Sequence, residues 1–142
     1  MFLLFIQIQK KIYLQERSRM VPYLPGCYCT SAGGHVGSGE SFEQAAQREL
    51  QEELGIQTFI RKIHSFIYAQ DEQKRFIELF IAFHDGPFYF KDGEVESGQF
   101  FSFEEAQNLI EKGEKIHPQL NACFRWLYEH RNVLEMNNKA YK

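Results

Sequence analysis

With 142 residues, of which 44% are hydrophobic and 15% aromatic, the chain is long enough to bury one core without staples and too apolar to be disordered. A net charge of −3 gives no global field for a nucleic-acid polymer or an anionic membrane, so a phosphate-bearing ligand needs cations placed locally. Three cysteines, Cys27, Cys29 and Cys123, form an odd set without a second Cys/His pair at zinc spacing, and they read as reduced, buried thiols.

Residues 1–6 are apolar but far short of a membrane span. They carry neither a basic leader nor a small-residue cleavage site, so they read as a strand of a cytoplasmic protein. Residues 2–8 and 11–15 form expected strands across a turn at Gln9-Lys10. The chain opens almost inside that first strand, which leaves room for a piece upstream of Met1. The strand is also a candidate sheet edge for pairing two copies as a homodimer. Residues 16–25 read as a loop and 27–31 as a short strand. A loop with Gly33, Gly34, Gly37 and Gly39 follows, where close backbone approach is allowed. It is neither a P-loop, since no Gly-Lys-Ser/Thr comes after it, nor a dinucleotide fingerprint.

A helix is expected next. Ser41 suits the N-cap and Gln44 completes a capping box. Ala46, Leu50 and Leu54 make an apolar stripe, and Gly55 suits a left-handed stop. Glu49, Glu52 and Glu53 lie at i, i+3 and i+4, so all three project from one side of the helix. Like charges at that spacing repel by a few tenths of a kcal/mol (about 0.2–0.5) even in water, and by more facing a cleft. A hard divalent cation reverses the sign, because it takes carboxylate, water and phosphate oxygens as ligands.

Beyond the helix, residues 58–68 and 75–84 read as paired strands across the polar turn 70–73. The second, with Phe76, Ile77, Leu79, Phe80, Ile81 and Phe83, is dense enough in apolar side chains to be central. Residues 84–87 read as a turn and 92–98 as an acidic loop carrying Glu94 and Glu96. A strand at 99–103 runs into a helix at 103–112. A closing helix at 117–135 has Pro118 in its first turn and Leu120, Phe124, Leu127 and Tyr128 at helical spacing. One domain, 1–136, is expected, followed by a polar tail, 137–142. The mixture of strands and helices predicts an α/β fold with one mixed sheet covered by helices.

The pattern G-x5-E-x7-R-E-(apolar)-x-E-E-x-G-(apolar) is filled by Gly34, Glu40, Arg48, Glu49, Leu50, Glu52, Glu53, Gly55 and Ile56. In this it resembles the Nudix hydrolases. The resemblance implies the Nudix α/β/α sandwich and a Mg²⁺- or Mn²⁺-dependent pyrophosphohydrolase acting on a small-molecule diphosphate, such as a nucleoside diphosphate-linked compound. It implies metal ligands at Glu49, Glu52 and Glu53, together with the carbonyl of Gly34. Glu49 is then either ligand or general base, and Glu96 or Glu94 is the candidate base from outside the helix. Arg17 is the candidate phosphate contact, Tyr28 (or Tyr23) the candidate for stacking, and His35 a candidate phosphate contact in the loop. Glu40 and Arg48 are expected to brace the ligands from behind.

The run from Cys29 to His35 also resembles isopentenyl-diphosphate isomerase, which protonates a carbon–carbon double bond using a loop cysteine and a glutamate on a later strand. Here the matching loop position is Gly33, Cys29 lies four residues upstream, and Glu78 is the strand glutamate. The intact hydrolase pattern favours hydrolysis. A non-catalytic binding module is a third reading, opposed by the complete set of carboxylates, which left unused would only cost stability.

Overall fold

The computed structural model describes residues 1–132 apart from 71, 92 and 114. Among them the chain order is β1 (Phe2–Ile8), β2 (Lys11–Arg17), β3 (Tyr28–Cys29), β4 (Ala32–Gly34), α1 (Phe42–Leu54), β5 (Ile60–Gln70), β6 (Gln73–Phe83), β7 (Val95–Ser102), α2 (Phe103–Lys112) and α3 (Pro118–Glu129). The strands form one mixed sheet in the order β3-β2-β1-β6-β5, with β4 also paired to β1 and β7 to β2. The β1–β6 pairing is parallel and the others are antiparallel.

β1 explains the architecture. Its side chains alternate between two cores: Leu3 and Phe5 pack with α2 and α3, while Phe2, Leu4 and Ile6 pack with Ala46, Leu50 and Leu54 of α1. A strand covered on both faces needs an unbroken apolar run, and Phe-Leu-Leu-Phe-Ile supplies it. This corrects the expectation that the opening strand is a sheet edge. It lies between β6 on one side and β2 and β4 on the other, and β5 ends the sheet.

The two neighbours on one side of β1 make the sheet fork. β1 pairs with β4 through Phe2, Leu3 and Leu4, and with β2 through Ile6, Gln7 and Ile8. Ser31, fully buried, sits in the crotch of the fork. Its Oγ accepts from the Ile6 N–H at 2.7 Å and donates to the Tyr13 carbonyl, and its own carbonyl accepts from Gln15 Nε2 at 3.1 Å. These bonds satisfy backbone groups that parting strands would otherwise leave unpaired.

Several boundaries move. β2 runs on to Arg17 because β7 pairs with it that far. β7 begins at Val95, inside the expected acidic loop. Gly98 gives that segment its loop-like look, but a Cβ there would collide with the Tyr13 ring, so glycine is required in the strand. The β5–β6 hairpin closes at Gln70 opposite Gln73; position 71 of its turn lies outside the described residues. The α3 helix ends at Glu129, and positions 133–135 of the longer helix expected there lie outside the described residues, as does the polar tail at 137–142.

Candidate active site

α1 forms as its sequence dictates. Ser41 accepts from the Gln44 N–H, the Gln44 side chain returns to the Ser41 N–H, and Gly55 closes the helix at φ 68°. Ala45, Ala46, Leu50 and Leu54 are fully buried against the sheet, which fixes the rotation of the helix and therefore the aim of its glutamates.

The three carboxylates take different environments. Glu53 is 6% exposed yet lines an open cleft, and its Oε2 accepts from the Gly33 N–H at 3.3 Å. Glu49 lies against the loop: a Cβ on Gly34 would stand 3.0 Å from its Cδ. Glu52 points outward, with its side chain 53% exposed. Arg48 links this row to the loop. Its guanidinium donates to Glu40 at 2.8 and 3.0 Å, to Glu49 at 2.8 Å, to the His35 carbonyl at 3.3 Å, and more loosely to Glu52 at 3.4 Å. Glu40 in turn accepts from the Gly37 N–H at 2.8 Å. The hydrogen bond from Arg48 holds the Glu40 carboxyl below its usual range. At Glu49 burial wins: its pKa is raised, first by desolvation, with Arg48 opposing and the charges of Glu52 and Glu94 adding to the rise. Gly34→Ala is expected to push Glu49 aside and lower turnover by about tenfold or more, with the melting temperature nearly unchanged. Unaltered kcat in this variant would show that the close approach has no catalytic purpose.

The cleft has a volume of about 1070 Å³ and opens at the fork of the sheet. Gln15, Cys29 and Gly33 line it from the sheet, Glu53 from α1, and Arg17 and Tyr23 from the end of β2 and the loop after it. Arg17 is held there because its Nε donates to the Tyr23 carbonyl at 3.0 Å, and it also lies beside the Cys29 thiol. His35 lines the rim. The structure therefore brings together Glu53, Gly34, His35 and Arg17, with Glu49 directly behind Gly34.

Besides Glu52, which points outward, two expected residues stand outside the cleft. Tyr28 packs edge-on against Phe101 at 5.9 Å, on the face away from the cleft. Successive residues of a strand face opposite ways, so Cys29 enters the cleft and Tyr28 leaves it, and of the two candidate rings it is Tyr23 that lines the cleft. Glu96 is exposed on β7, at a bulge where the register passes from Ser97 opposite Glu16 to Val95 opposite Arg17. The carbonyl of Glu94 accepts from the Ser18 N–H at 2.8 Å, and the charge of Glu94 is felt at Glu49.

Cleft residues that sequence reasoning missed include Arg75, Tyr68 and His117. For His117 a local signal exists, since it precedes Pro118 where an N-cap belongs. Its Nδ1 accepts from the Gln119 N–H at 3.2 Å, capping α3. Burial, helped by Arg17, pushes its pKa down from 6.5 to about 4. The unfolded chain therefore binds a proton below about pH 6.5 that the folded chain refuses until about pH 4. The stabilising contribution of neutral His117 is complete above that window and is lost progressively as the pH falls through it. His117→Asn keeps a capping acceptor without the titration. Its melting temperature is expected to fall less between pH 7 and pH 4 than that of the parent. Parallel melting curves for the two proteins would contradict this assignment.

Isomerase-like chemistry finds less support in the geometry. Burial pushes the Cys29 thiol up to about 12, so it is not a ready proton donor and acceptor pair with Glu78. Glu78 is outside the cleft lining, bonded to Ser65 at 3.3 Å and paired with Lys62 at 3.6 Å.

A catalytic-type carboxylate row behind a glycine loop, at the mouth of a forked sheet, is matched by the NUDIX domain profile over residues 2–123. The chain belongs to the Nudix hydrolase family. Among its relatives, the uncharacterized Nudix hydrolase PA4841 of Pseudomonas aeruginosa is 29% identical over 113 residues, covering 76% of this chain and 67% of that protein. The uncharacterized Nudix hydrolase YfcD of Escherichia coli K12 is 36% identical over 86 residues, covering 60% of this chain and 48% of YfcD. The chain thus matches about half the length of YfcD. The crystal structure of DR0079 from Deinococcus radiodurans superposes with a TM-score of 0.80 at 26% identity, covering 89% of this chain and 81% of that one. Nudix hydrolases in general cut diphosphate bonds, and this chain is an enzyme of that class. Among the described residues no helix is long and apolar enough to cross a membrane.

Proposed function

We propose that this Nudix domain hydrolyses a diphosphate bond in a nucleoside diphosphate-linked or other organic diphosphate, using Mg²⁺ or Mn²⁺. The observation that carries the reading is Glu53, a carboxylate 6% exposed that still lines an open cleft, beside two further carboxylates on the same helix. Its Oε2 already accepts from the Gly33 N–H, and a hard cation in the cleft would add to the stabilisation of the carboxylate.

The donor set suits a hard cation, being the carboxylates of Glu49, Glu52 and Glu53 with the Gly34 carbonyl. Among the described residues no three ligating groups already stand together as a cage. Arg48 accounts for this, since it holds both Glu49 and Glu52. Its contact with Glu52 is long, at 3.4 Å, and it keeps two shorter bonds to Glu40, so Glu52 is the ligand released most easily. Bound there, the ion supplies charge neutralisation and Lewis acidity to the diphosphate oxygens.

The chain's own groups do the rest. Arg17 holds a phosphate oxygen from the cleft wall. Glu49 or Glu94 removes the proton of the attacking water, and the raised pKa of Glu49 suits a base. Arg48 and Glu40 keep the helix and the glycine loop in register. The oxygen of that water joins one phosphorus, and the bridging oxygen leaves with the other phosphate.

The test is a panel of nucleoside diphosphate-linked and isoprenoid diphosphates incubated with Mg²⁺. Release of a monophosphate or phosphate from at least one member is expected. Silence across the panel would sink the proposal, and conversion of isopentenyl to dimethylallyl diphosphate would replace it with isomerisation.

A further inference from the structure

β6 runs further than the strand beside it. Its pairing with β1 begins at Glu78 opposite Phe2, whereas its pairing with β5 continues out to Gln73 opposite Gln70. The far end of the β5–β6 hairpin, an arm of two paired strands, forms one wall of the cleft. Tyr68 and Arg75 are direct cross-strand partners on this arm, so their side chains share a face, and both line the cleft.

Arg75 is exposed and makes no hydrogen bond or ion pair among the described residues. Its charge acts on the Met1 amino group. Arg17, by contrast, acts on Cys29 and His117, and Cys29 also feels Glu53. The cleft thus has two cationic stations, one beside the carboxylate of α1 and one on the arm. A volume of about 1070 Å³ is more than a diphosphate alone would fill. A guanidinium with no ion pair among the described residues, at the wall of such a cleft, is free to take an anionic visitor.

We propose that Arg75 is a second anion-binding residue, and that the preferred substrates carry at least one phosphate beyond the two joined by the bond that is cut, as nucleoside triphosphates and longer polyphosphates do. The choice of bond rests on the hydrolase reading above; the anion station does not. A sugar-linked diphosphate would present only neutral hydroxyls to the arm. Glu72, exposed at the turn of the arm, also lines the cleft, where its negative charge opposes the binding of an anion.

The test is calorimetric titration of metal-free protein, in chelator and at low salt, with tripolyphosphate and with pyrophosphate. Tripolyphosphate is expected to bind about tenfold tighter, the scale of one charge-assisted contact. Arg75→Gln should erase most of that ratio, Arg75→Lys should restore part of it, and Glu72→Gln should widen it. Equal affinities in the parent, or a ratio indifferent to Arg75→Gln, would overturn the proposal. Melting temperatures establish that each variant is folded. In turnover, Arg75→Gln should cut the kcat/KM preference for a nucleoside triphosphate over the sugar diphosphate of the same nucleoside by about tenfold. If no member of the diphosphate panel is hydrolysed by the parent, the hydrolase reading fails, and the binding ratio still decides the role of Arg75.

Discussion

Glu53→Gln is expected to lower kcat by at least about 100-fold, since losing only a partner behind a metal ligand already costs about 10–100-fold in affinity or activity. The substitution is nearly isosteric. A glutamine oxygen still accepts from the Gly33 N–H, and the neutral amide removes a buried charge, so the fold should survive. The loss therefore belongs to the chemistry and should appear in kcat rather than in the melting temperature. Glu52→Gln should behave alike but for one difference. Its side chain is 53% exposed and only loosely held by Arg48, so even less structural disturbance is expected there. Steady-state kinetics with a responsive substrate, alongside thermal melts, separate the two effects. A Glu53→Gln enzyme within tenfold of the parent would remove Glu53 from the ligand set.

Leu50→Ala is expected to cost about 2–5 kcal/mol of stability, the usual range for a leucine truncated in a packed core. Leu50 is fully buried between α1 and the β1–β6 face, beside Phe2, Leu4 and Phe80. It stands between Glu49 and Glu52 in the chain, on the apolar stripe beside the carboxylate row, which it anchors against the sheet. A drop in melting temperature on the order of 10 °C should result, with activity retained well below the new midpoint. A change of less than about 1 kcal/mol would mean that α1 is not seated as described.

How far the sequence reached depended on the range of the interaction. The ends of α1 and α2 were legible because their determinants are local. Ser41 with Gln44, Ser102 with Glu105, and the stops at Gly55 and Gly113 all lie within a turn of the helix ends they define. The carboxylate row was legible for the same reason, and the nine-position pattern named the family. The fork of the sheet was not. It depends on β1 meeting β4 and β2 in succession, through pairings some 30 residues apart for β4, and on Ser31 bridging the gap.

The misplaced residues follow from parity and bulges. Tyr28, packed on Phe101, and Cys29 in the cleft are consecutive residues, and composition says nothing about which of the two faces inward. Likewise the bulge between Glu16 and Arg17 on β2, which sets where β7 begins beside Glu94 and Glu96, depends on a pairing that no local pattern announces. Arg75 escaped notice because its position on the cleft wall comes from its pairing across the hairpin with Tyr68, a relation between two strands that neither strand encodes alone.

Titration with Mn²⁺, followed by electron paramagnetic resonance of the free ion, tests the carboxylate row most directly. The parent should bind Mn²⁺, Mg²⁺ should compete for the same place, and Glu52→Gln and Glu53→Gln should each weaken the affinity by about tenfold or more. Equal binding by the parent and both variants, or none by the parent, would contradict the assignment of these glutamates as metal ligands.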